Sequence, residues 1–148
     1  MRSGLRVLLG LTTTVTLGGG IVVPAFTASA SASSTYAAET WHWGPTASTD
    51  YKGWATGKIR STSSGLRVSG DLYDAGGART CSWVKIKWLT DHGRYRTATF
   101  KNCSQSTPRA FSVNTGYMLS AEAKVCRGTS TRITGKCSGW EGVWSQGG

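Results

Sequence analysis

From Cys81 to Cys103 the chain reads CSWVKIKWLTDHGRYRTATFKNC, two runs of alternating apolar and polar residues on either side of Asp91-His92-Gly93. A short loop with Gly at the position that needs a left-handed backbone, set between alternating runs, predicts an antiparallel hairpin. Pairing Thr90 with Arg94 and counting outward puts Cys81 opposite Cys103, a coincidence that the turn does not impose. The same register sets Val84 against Phe100 and Ile86 against Ala98 on one face. On the other it sets Trp83, Lys85 and Lys87 against Lys101, Thr99 and Thr97. The first face, which also holds Trp88, is predicted to be core and the second to be wet.

Similar alternation recurs along the chain. Trp54 to Arg60 alternates weakly and Leu66 to Leu72 cleanly, with Leu66, Val68 and Leu72 on one side and a turn over Ser61 to Gly65 between the two runs. Asp74-Ala75-Gly76-Gly77 reads as a turn and Ser104 to Pro108 as a polar link. Leu119, Ala121, Ala123 and Val125 then alternate with polar residues, and Arg132 to Cys137 and Trp140 to Trp144 are the last strand candidates. If extended, Trp140 and Trp144 would share a face, where they either close one end of the sandwich or extend a binding surface. No window beyond the N-terminal segment has helical periodicity. The pattern predicts an all-β protein, a small antiparallel β-sandwich of about six to seven strands. A hairpin alone is marginal in water, so Val84, Ile86 and Phe100 need a cover. Leu66, Val68, Leu72, Ala121, Ala123 and Val125 are the expected cover.

The N-terminal segment changes the domain picture. Arg2 and Arg6 precede an apolar stretch that runs through Ile21-Val22-Val23, and small residues follow to Ala32. That layout is the one a secretory signal peptide has, with A-x-A cleavage after Ala30 or Ala32. Gly18-Gly19-Gly20, Pro24 and the threonines after Leu11 suit a permanent membrane span poorly. Residues 1–32 are therefore expected to be removed, residues 33–45 to be a flexible leader, and residues 46–148 to form one secreted domain. Trp41 and Trp43, at i and i+2, would lie on one side of an extended chain and either pin the leader to the domain or add to a binding surface.

All four cysteines lie after the signal segment, and an even count in an exported chain reads as disulfides. Of the three possible pairings the hairpin register favours Cys81 with Cys103, leaving Cys126 with Cys137. The spacings contain no C-x-x-C pair, so a zinc site is not expected. Of the 17 Lys and Arg only Arg2 and Arg6 precede the cleavage region, which leaves 15 bases against 7 acids in the mature part, a net charge of +8. Such a protein is drawn to anionic surfaces.

A signal peptide, the strand LRVSGDLYD, a cysteine opening CSWVKIKW and a VCRG finish followed by a last cysteine resemble the small secreted, disulfide-containing β proteins of actinobacteria. The resemblance covers most of the mature chain and implies a fold and a compartment, not an activity. The Trp and Gly spacings near the N-terminus also resemble secreted bacteriocins of the lactococcin type.

Residues for catalysis are few. Asp91 and His92 belong to the hairpin turn, where their types suit backbone geometry. Asp71 and Asp74 read as solvated acids rather than a glycosidase pair. No nucleophile elbow, metal-binding helix motif or phosphate loop occurs. The seven tryptophans are more informative. Trp83 stands among Lys85, Lys87 and Lys101 on the wet face, where rings stack on sugars or bases and lysines neutralise acidic groups; its structural role would be to cover the Cys81–Cys103 bridge. The expectation is a secreted, monomeric, non-enzymatic module that binds a cell-wall polyanion or carbohydrate through Trp83, Lys85, Lys87 and Lys101, with no cofactor and no metal. The alternative is a secreted antagonist, either bacteriocin-like or an enzyme inhibitor.

Overall fold

The computed structural model describes residues 39–147; the expected signal peptide and the first part of the expected leader, within residues 1–38, lie outside the described residues. Nine strands follow one another: β1 (Thr40–Ala47), β2 (Gly53–Thr62), β3 (Gly65–Asp74), β4 (Cys81–Thr90), β5 (Tyr95–Asn102), β6 (Arg109–Gly116), β7 (Met118–Gly128), β8 (Ile133–Gly135) and β9 (Glu141–Ser145). They form two antiparallel sheets, one ordered β1-β2-β3-β6 and the other β5-β4-β7, with β8 and β9 both pairing with β7. The protein is an all-β sandwich with two disulfides, Cys81–Cys103 and Cys126–Cys137.

The central hairpin has the register that its alternation predicts. Val84 is opposite Phe100, Ile86 opposite Ala98 and Trp83 opposite Lys101. Gly93, at φ 71°, sits in the turn, where Thr90 N–H donates to the Arg94 carbonyl. Val84, Ile86 and Trp88 are buried on the inner face.

The cover of that face differs from the expectation in part. Val68 and Leu72 belong to the facing sheet, but Ala121, Ala123 and Val125 do not: β7 pairs directly with β4 and extends the same inner face. The facing sheet instead contributes Trp43, Ala55, Ile59 and Phe111. Gly57 and Gly70 pair across β2 and β3 within this inner face, and the Trp43 and Phe111 rings fill the space over them, with centroids 6.2 Å apart. A Cβ on Gly57 would come within 2.6 Å of the Trp43 ring, and one on Gly70 within 2.9 Å of Phe111. Two missing side chains thus make room for two large rings.

Two strands were not among the seven sequence candidates. Residues 40–45 of the expected flexible leader are part of β1, held by pairing with β2 and by burial of Trp43. Gly44-Pro45 forms a bulge there, which shifts the register by one residue so that Trp43 and Thr46 both face inward. The other unexpected strand, β6, is an edge strand whose inward row is Phe111, Val113 and Thr115.

One end of the core is polar. Asp74, Ser82 and Arg127 continue the inward rows of Leu72, Val84 and Val125, and all three are buried. Asp74 is therefore not a solvated acid. The Arg127 guanidinium donates to the Asp74 carboxylate and the Ser82 hydroxyl, to the Lys52 carbonyl at 3.1 Å and to Thr80 Oγ1 at 2.9 Å. This set pairs the buried Arg127 charge and joins the two sheets, while Asp74 Oδ2 is buried with no hydrogen-bond partner among the described residues.

Candidate functional site: the outer face of the hairpin sheet

Strand alternation carries three parallel rows to the solvent side of the second sheet. β4 presents Trp83, Lys85 and Lys87; β5 presents Tyr95, Thr97, Thr99 and Lys101; β7 presents Ser120, Glu122 and Lys124. All four predicted residues, Trp83, Lys85, Lys87 and Lys101, lie together on this face. Sequence reasoning missed Lys124, which is directly opposite Lys85; Trp140, which the sequence offered as a possible extension of this surface, lies over both Lys87 and Lys124. The β4–β7 pairing that brings Lys124 in has a sequence separation too large for hairpin counting to reach.

Most of these groups are already engaged. Lys87 Nζ lies 2.6 Å from a Glu122 carboxylate oxygen, 4.5 Å from the Trp140 ring and 5.5 Å from Tyr95. Lys124 Nζ lies 5.2 Å from the same Trp140 ring. Lys101 Nζ lies 5.6 Å from the Trp83 ring and donates to the Ser130 carbonyl. Exposed cation-π contacts of this kind are worth about 0.5–1 kcal/mol each, and an exposed ion pair no more. Among the described residues Lys85 has no ion pair, hydrogen bond or ring contact, which leaves its charge for an external anion.

Trp83 is half-buried. It follows Cys81 in the outer row and is opposite Cys126, so it neighbours a half-cystine of each bridge. Its indole N–H donates to the Thr129 carbonyl at 3.1 Å. Beside it a cleft of about 320 Å³ is lined by Thr99, Phe100, Lys101 and Arg109 as well. A ring fixed along one edge and flanked by two cations can stack on a flat ligand without first being ordered.

Acids and histidines are scattered over the described residues. Asp71, His42 and Glu141 are exposed, Asp74 is paired with Arg127, and Glu122 with Lys87. Asp91 and His92 approach to 3.9 Å at the exposed turn. Among the described residues no group of three or more His, Cys, Asp and Glu could hold a metal ion, and no helix is long and apolar enough to cross a membrane. The two disulfides fit an oxidising environment. Comparison with protein-family models, curated proteins and solved structures finds no match.

Proposed function

We propose that this protein is a secreted, non-enzymatic module that binds anionic or glycan polymers at a cell surface. The observation that carries the reading is the composition of one rigid face: Lys85, Lys87, Lys101 and Lys124 interleaved with Trp83, Tyr95 and Trp140, with Glu122 the only acid in the rows of β4, β5 and β7. Cations attract the polymer from a distance, and the rings give it a surface to stack on. Export is supported by the signal-like N-terminus and by the two disulfides.

The test is retention of the purified protein on isolated cell walls, teichoic acid, chitin and DNA at low and at high salt. Retention that weakens with salt on at least one polymer is the expected result. Passage through all four unretained sinks the reading.

A further inference from the structure

Another cleft lies at the open edge of the sandwich beside the β4–β5 turn. It has a volume of about 610 Å³, and its walls come from that turn, from the start of β5 and from the end of β6 with the residues after it. Arg96 pairs with Trp88, a core-facing residue, so it lies on the inward side of an edge strand. Arg94, two residues earlier, falls on the same side. Both line the cleft, and among the described residues neither has a carboxylate partner.

The other wall supplies hydrogen-bond donors and a ring. Asn114, which lines the cleft, accepts from Arg67 Nε through its Oδ1 at 2.7 Å, and among the described residues its amide N–H groups have no partner. Tyr117, a large ring, is 67% exposed. On the floor, Trp88 is buried and its Nε1 has no hydrogen-bond partner. The one acid in the lining, Asp91, lies beside His92.

The geometry points to a second binding site, for the phosphate group of a phosphate ester. The cleft collects two unpaired guanidiniums and further N–H donors, and a phosphate oxyanion is an acceptor that the guanidinium fork matches in shape and charge. Tyr117 offers a face to the ester's sugar or polyol part. This site does not rest on the outer-face reading, since none of its residues is in the Lys and Trp set. The competing account is that Arg96 is an inward-pointing charge that keeps the β5 edge from pairing with another chain.

The test is an NMR titration of the full chain with inorganic phosphate against sodium chloride at matched ionic strength, followed by a glycerol phosphate polymer. Phosphate should shift the Trp88 indole N–H and the amides of Arg94, Arg96, Asn114 and Tyr117. In the R94Q/R96Q double variant the phosphate shifts at the cleft should report at least tenfold weaker binding, whereas T97A/T99A, on the outer face, should leave those cleft shifts as in the parent. Tighter binding of the polymer than of free phosphate would make the ester the ligand; equal binding would make it free phosphate. Chloride reproducing the shifts, shifts centred on Lys85 and Lys124, or unchanged affinity in R94Q/R96Q would each overturn the site. Those results, with polymer retention on the outer face intact, would leave the proposed function standing.

Discussion

Arg127 of β7 and Asp74 of β3 form a buried ion pair that ties one sheet to the other at the end of the core. Each continues a row that is otherwise apolar, and the pair is completed by Ser82, Thr80 and the Lys52 carbonyl.

Removing one partner strands the other charge in a desolvated site, so Arg127→Ala should cost about 3–5 kcal/mol. Equilibrium unfolding in urea measures it. Asp74→Ala combined with Arg127→Met should cost less than the sum of the single changes, because the second removes the charge that the first leaves unpaired. A loss below about 1 kcal/mol for Arg127→Ala would show that water reaches the pair.

Acid should act through Asp50. Its partial burial works to raise its pKa, but the Ser48 hydroxyl at 2.7 Å, the Lys52 N–H at 3.2 Å and the Arg127 guanidinium at 3.8 Å outweigh that and hold it below its ordinary value. The unfolded chain therefore takes up the proton more readily than the folded one. The stability that Asp50 contributes is present above the unfolded pKa, about 4, and is lost as pH falls through the lower folded value. Thermal melts between pH 5 and pH 2 (roughly the range bracketing that titration) should show a steeper fall in Tm for the parent than for Asp50→Asn. Parallel curves would remove Asp50 from the account.

The two disulfides should be worth about 3 kcal/mol each on the chain-entropy argument. Cys81–Cys103 spans 22 residues and Cys126–Cys137 spans 11, so the first should contribute more, by about 0.6 kcal/mol for a doubled loop. Paired Cys→Ser variants, unfolded under identical conditions, give the comparison. A smaller loss from the longer loop would mean that residual order in the unfolded chain dominates.

The hairpin was legible because its turn, its alternation and its cysteines all specify one register. Elsewhere a single irregularity was enough to mislead. Leu119 alternates with Ala121, Ala123 and Val125, yet the register of β7 against β4 shifts at that point, so Met118 is buried and Leu119 is 39% exposed. A second shift in β9 sends Trp140 and Trp144 to opposite sides: Trp144 packs edge-on against Trp41, and Trp140 lies over the lysines. Bulges leave little trace in hydrophobic spacing. β6 escaped because only Phe111 and Val113 mark its inward row as apolar. Arg127 reads as one more surface cation until the Asp74 row is set opposite it.

The outer face gives the last prediction, in which charge and ring separate by salt. Lys85→Gln removes the one lysine of that set with no internal contact, so polymer retention should weaken at low salt while stability stays within about 0.5 kcal/mol of the parent. Lys87→Gln also breaks the Glu122 contact and two ring contacts, and should lower both retention and stability. Trp83→Ala should reduce retention even at about 1 M salt, where screening confines charge attraction to about 3 Å and stacking remains. It also deletes the hydrogen bond to Thr129, so some fall in Tm is expected. Trp83→Phe, which keeps a ring but not the N–H, should recover most of the high-salt retention without recovering all of the Tm. If Trp83→Ala lowers the Tm but binds the polymers like the parent at both salt concentrations, the indole only braces the loop between Cys126 and Cys137, and the stacking role is lost.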